Sequence, residues 1–247
     1  MKKKMKIAGM TATMLSSAGM TPADALADDL LQDAGSWLQV VGEGSLNVVD
    51  PSLEKGRIWL EGQYRRDNDW NRWQGVLRAA LGYSLSDRAT IWAGYTWVPT
   101  ENTGKPYKSQ QEVWPAFRYN LPTRLGTVTF RTMIETNFMP GNGDDVRIQP
   151  RQMIRLLHPL EVDPRLSLIT WDEVLLRVNT TPASGQAGFN QNRAFLGLGW
   201  TFNKNFRAEG GYLNQYLDDA THNNNTKEFG KRLYLATRQY TTFLSGG

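Results

Sequence analysis

Apolar and polar residues alternate along almost the whole chain from Trp37 onward, and no stretch keeps the 3.6-residue spacing of an amphipathic helix. Ile58, Leu60 and Tyr64 alternate with Arg57, Glu61, Gln63 and Arg65. Leu77, Ala79, Leu81 and Tyr83 alternate with Arg78, Ala80 and Gly82, and Ile91, Ala93, Tyr95 and Trp97 with Thr90, Trp92, Gly94 and Thr96. Val128, Phe130, Ile134 and Phe138 oppose Thr127, Thr129, Arg131 and Glu135, and Ala194, Leu196, Leu198, Trp200 and Phe202 oppose Gln191, Arg193, Gly197 and Gly199. A period of two puts one apolar and one polar face on each strand.

The alternation predicts eleven strands, at 33–49, 57–66, 73–84, 89–99, 110–120, 125–138, 146–157, 166–178, 190–202, 206–217 and 229–243. Most are longer than the roughly 5–6 residues of an ordinary strand, and match the roughly 9–11 that a tilted strand needs to cross a bilayer. Short connections (84–88, 121–124, 203–205) alternate with longer ones (67–72, 100–108, 139–145, 179–188, 218–228), as in barrels with short periplasmic turns and long outer loops. This phase makes 33–49 a descending strand, and single-chain bacterial barrels have even strand counts. A strand between Asp28 and Asp50, broken at Gly42-Glu43-Gly44, would raise the count to twelve; ten results if Lys227 to Phe243 lies outside the wall.

The expected fold is therefore all-β, an antiparallel up-and-down transmembrane β-barrel. A soluble β-sandwich also alternates, but only a barrel in a membrane places charged rows inside and an apolar belt outside. Aromatic residues near strand ends, among them Tyr64, Tyr83, Tyr95, Trp97, Tyr119, Phe138, Trp200, Phe202 and Tyr212, suit interfacial girdles and favour the barrel. Parity then assigns a polar lumen network to Glu61, Arg65, Arg118, Arg131, Glu135, Arg147, Arg151, Arg155, Glu173, Gln191 and Arg193, with Arg57, Arg78, Glu112 and Arg177 on the same faces.

The first 27 residues stand apart. Lys2, Lys3, Lys4 and Lys6 precede a largely apolar run from Ile7 to Met20 and an Ala25-Leu26-Ala27 cleavage box, the three parts of a secretory signal. This predicts cleavage near Ala27, a single domain over 28–247, and export to the outer membrane of a Gram-negative bacterium. Its partners are then outer-membrane lipid and, during biogenesis, the barrel-insertion machinery. From Asp28 onward 24 basic side chains face 23 acidic ones, so nothing suggests a nucleic-acid partner. The absence of cysteine excludes disulfide scaffolds, cysteine nucleophiles and thiolate metal sites. No phosphate loop, dinucleotide fingerprint or zinc motif occurs, and no cofactor is expected.

Trp37, Glu61-Gly62-Gln63-Tyr64-Arg65, Leu81-Gly82-Tyr83, Gly94-Tyr95, Trp171-Asp172-Glu173, Phe189-Asn190-Gln191-Asn192-Arg193 and Gly211-Tyr212-Leu213-Asn214-Gln215, in that order, resemble the outer-membrane barrel family catalogued as domain of unknown function 2490. The resemblance spans nearly the whole chain after the signal. It implies a small Gram-negative barrel without an assigned activity and carries no catalytic residues with it. Four residues follow Phe243 where such barrels usually end on an aromatic.

Inward arginines and glutamates in so narrow a barrel are expected to pair, which gives a structural lumen network. Alternatively the lumen is a narrow pore for small solutes, with a modest preference for anions set by the arginines, notably the ladder Arg147, Arg151 and Arg155. An enzymatic reading would use His222 with Asp218 and Asp219, and Asp144 and Asp145, as a water-activating site at the outer rim. His158, next to Pro159, reads as a turn residue, Gly141 to Asp145 as a turn rather than a calcium loop, and Asn223 to Asn225 as a loop tip.

Overall fold

The computed structural model describes residues 35–67, 71–138, 145–182, 185–217 and 237–243. Ten strands form a continuous antiparallel meander: β1 (Gly35–Ser45), β2 (Gly56–Asp67), β3 (Arg72–Ser84), β4 (Ala89–Asn102), β5 (Lys108–Thr123), β6 (Gly126–Phe138), β7 (Val146–Leu160), β8 (Asp163–Arg177), β9 (Gly188–Asn203) and β10 (Phe206–Leu217). A shorter β11 (Thr237–Phe243) pairs antiparallel with β10 and parallel with β1, and so closes the barrel. Two 3-10 turns, Leu46–Val48 and Pro51–Leu53, are the other regular elements among the described residues.

Three details differ from the sequence expectation. β1 runs unbroken through Gly42-Glu43-Gly44 and ends at Ser45, where the Ser45 and Asp50 side chains cap the two 3-10 turns; no second strand forms between Gly35 and Asp50. Pairing of every β1 residue with β2 holds these glycines in the sheet. The ring thus holds eleven described strands where twelve were expected, and an odd number forces its closing pair to be parallel. The first connection, 46–55, is long although it lies with the short turns. Of the expected segment 229–243, the part before Thr237 lies outside the described residues, as do the signal region, Gly141 to Asp144, Asp218, Asp219, His222 and the Asn223 to Asn225 tip.

Connections 46–55, 85–88, 124–125, 161–162 and 204–205 define one end of the barrel, the turn rim; the opposite strand ends define the loop rim. The two-residue turn 124–125 depends on Gly126, whose φ is 120° and where a Cβ would sit 2.1 Å from the Leu157 carbonyl oxygen. Thr123 closes that turn, its hydroxyl donating to the Gly126 carbonyl at 2.9 Å.

Parity separates the two faces as alternation dictates. Outside, Leu77, Leu81, Ile154, Leu196 and Leu198 are 52%, 62%, 49%, 56% and 50% exposed. Tyr64, Trp97, Phe138 and Phe189 stand on this face toward the loop rim, and Tyr83, Phe202 and Phe206 toward the turn rim. So broad an apolar exterior is foreign to a monomer in water. Inside lie two apolar clusters: Val41, Trp59, Ala80, Trp92, Trp114, Ala116 and Met133, and Trp37, Ile169, Phe195 and Leu213. Trp59 meets Trp92 and Trp114 edge to face at 5.6 and 5.9 Å. Gly94 makes room for Trp114, since a Cβ there would fall 2.2 Å from the indole.

Candidate functional site

The inward polar residues of β2 to β9 join across the barrel axis. Arg78 on β3 reaches Glu61 on the neighbouring β2 at 3.0 Å and Glu135 on β6 at 3.5 Å. Arg151 on β7 binds Glu135 and also holds Glu173 on β8 with two contacts, Nη2 to Oε2 at 2.6 Å and Nε to Oε1 at 3.1 Å. Glu173 accepts further from Arg131 on β6 at 2.9 Å and lies 3.6 Å from Arg193 on β9. Four arginines and three glutamates thus form one connected chain, with every member buried. Because Arg78 and Glu135 stand on non-adjacent strands, the chain is a septum and not a lining.

Two further bridges cross the lumen toward the turn rim. Arg155 on β7 donates to Glu209 on β10 at 2.5 Å, and Arg118 on β5 grips Glu43 on β1 through both Nη atoms, one contact being 2.6 Å. Toward the loop rim, Arg65 donates Nε and Nη2 to Gln63 and Nη1 to Gln74, the Nε and Nη1 contacts both at 2.9 Å.

Each of the four buried tryptophans carries an arginine against its ring. Arg65 lies 3.9 Å and Arg193 5.3 Å from Trp37, Arg78 5.5 Å from Trp114, Arg118 5.2 Å from Trp92 and Arg131 5.8 Å from Trp59. A guanidinium over an indole face replaces part of its lost hydration, so aromatic and charged residues share one interior.

The septum divides two cavities that share no lining residue. The loop-rim cavity encloses about 260 Å3 and the turn-rim cavity about 890 Å3. Seven basic and two acidic side chains line each of them. Several of these arginines are already paired, Arg78 with Glu61, Arg131 and Arg193 with Glu173, and Arg155 with Glu209, carboxylates that lie outside both linings, so each cavity wall is basic without its charges being unmatched.

Of the residues chosen from parity, Glu61, Arg131, Glu135, Arg151, Arg155, Glu173, Gln191 and Arg193 are buried inside, while Arg65, Arg118 and Arg147 are half-buried at the ends of the network. Arg151 belongs to the septum, whereas Arg147 and Arg155 fall to opposite sides of it, so the ladder is split. Sequence reasoning assigns Glu43 to a strand break, leaves Glu209 unassigned, and sets only Trp92 of the buried tryptophans on the polar face. Trp59 and Trp114 share strand parity with Glu61 and Glu112, and that was the available signal. His158 lies within β7, paired with Leu168, and not in a turn as expected; its Nδ1 donates to the Leu125 carbonyl at 2.6 Å and ties the strand to the 124–125 turn.

The chain matches, over residues 34–226, the family described as Protein of unknown function (DUF2490). An uncharacterized protein of Methylorubrum extorquens is 27% identical over 193 residues, which cover 75% of this chain and 79% of that protein. No solved structure matches the chain. No helix among the described residues is long and apolar enough to cross a membrane, a criterion that does not address strands.

Proposed function

The chain belongs to the family of unknown function DUF2490, and from that premise we propose that it is an outer-membrane barrel that passes small anions through a conduit interrupted at mid-depth. The observation that carries this reading is the equal cationic surplus on both sides of an ion-paired septum. A lumen wall needed only for packing has no use for a basic lining at both of its ends. A surplus on both sides instead favours anions entering from either rim. The Arg–Glu pairs of the septum then act as exchange points, where a solute anion takes the place of a glutamate on Arg78, Arg131 or Arg151. Outward leucines and valines, with aromatic side chains toward both rims, support a membrane setting. The N-terminal signal supplies the export route.

Two measurements test this reading. Protein from outer membranes should resist carbonate extraction and migrate faster on gels before boiling than after; extraction by carbonate with unchanged mobility would refute the membrane assignment. In planar bilayers under a potassium chloride gradient, small conductance steps should reverse toward the chloride potential. Selectivity for potassium, or no steps in either the native protein or Glu135→Gln, would remove the conduit.

A further inference from the structure

The loop-rim cavity contains unmet hydrogen-bonding groups of both kinds, which a surplus of positive charge alone does not explain. Arg147 lines it and forms no ion pair among the described residues; its Nε is 3.3 Å from the Asn137 amide oxygen when that oxygen faces β7. Gln149, the next inward residue of β7, is 3% exposed, and its shielded Oε1 receives no donor among the described residues. On β9, Gln191 is 4% exposed; its Oε1 accepts from Arg193 at 3.2 Å while its Nε2 has no acceptor among the described residues. A leucine would fill the Gln149 position without leaving a polar atom unmatched, so retaining an amide there costs stability that packing does not return.

We infer that this cavity is a binding site for small carboxylates that also carry hydroxyl groups, the chemistry of a sugar acid. The inference rests on the reading that solutes enter the barrel. The carboxylate matches the forked donors of Arg147. A hydroxyl hydrogen satisfies Gln149 Oε1, and a hydroxyl oxygen satisfies Gln191 Nε2. Chloride or a fully ionised inorganic anion offers acceptors alone and leaves Gln149 unmet. A plain fatty acid meets Arg147 but neither amide.

The test is calorimetric titration of the barrel purified in detergent with gluconate, hexanoate and sorbitol, each corrected against empty micelles. Gluconate should bind at least tenfold more tightly than hexanoate or sorbitol. Gln149→Leu should reduce gluconate to the level of hexanoate and, because an unmatched buried group is gone, raise the temperature at which the fast-migrating gel form is lost. Arg147→Gln should weaken gluconate and hexanoate alike. If Gln149→Leu does not fold, Gln191→Leu carries the same expectation for gluconate, without the gain in stability, because it also removes the acceptor of Arg193. Equal binding of gluconate and hexanoate, no binding of gluconate, or a gluconate preference that survives the glutamine substitution would overturn the site. A barrel that conducts chloride without preferring gluconate removes this inference alone, and one that prefers gluconate without conducting removes the conduit alone.

Discussion

Replacing Glu173 by glutamine is expected to lower the stability of the folded barrel by about 3–5 kcal/mol, the cost of breaking a buried pair from one side. Glu173 is the carboxylate shared by Arg131, Arg151 and Arg193, so its loss leaves three guanidiniums facing one another around a neutral amide. Glutamine keeps the size and one acceptor oxygen, which isolates charge from packing. Asp87→Asn, at an exposed turn-rim residue, should shift stability by less than about 0.5 kcal/mol. Urea titration of the fast-migrating gel form in lipid vesicles measures both. Equal effects of the two substitutions would show that the septum does not hold the barrel together.

Trp114→Ala carries the second large effect, again about 3–5 kcal/mol, because a large buried aromatic leaves a void that its rigid neighbours do not close. Trp114 is 2% exposed, meets Trp59 edge to face, and donates its indole N–H to Thr96 at 2.8 Å. Trp114→Phe keeps most of the aromatic area and loses that hydrogen bond, for a smaller cost of about 1 kcal/mol. Trp97→Ala, on the outer face and 38% exposed, should cost less than Trp114→Ala. The same urea titration ranks the three, and a larger effect at Trp97 than at Trp114 would invert the assignment of inner and outer faces.

Alternation made the wall legible in the sequence, because a two-residue period fixes which side chains share a face wherever both faces carry distinctive residues. Arg131, Glu135, Arg151 and Glu173 could be grouped on that ground. Glu43 and Glu209 could not. Glycines flank Glu43 on both sides and follow Glu209 twice, and a strand without side chains on its other face displays no alternation. Gly42-Glu43-Gly44 therefore resembled a break, although the backbone there is fully paired. The inward tryptophans were legible in part. Parity sets Trp92 on the polar face and Trp59 and Trp114 in step with Glu61 and Glu112, but only the arginines stacked on their rings show why Trp37, Trp59, Trp92 and Trp114 are compatible with the polar interior. Which partners meet across the lumen was beyond sequence altogether, since Arg78 and Glu135 are 57 residues apart on strands that do not touch.

The parallel pairing of β1 with β11 has a consequence for how the chain can be rewired. β1 begins at the loop rim and β11 ends at the turn rim, so Gly35 and Phe243 lie a barrel-height apart, on the order of 30 Å at ~3.3 Å per residue. In an even-stranded ring the first and last strands meet at the same rim, and a few residues suffice to splice them into a circular permutant. Here the splice would have to run the full height of the wall or through the lumen. The order of the strands is thus tied to the sidedness of the sheet, and a loop-rim cut with a short linker between Gly35 and Phe243 does not regenerate the same ring.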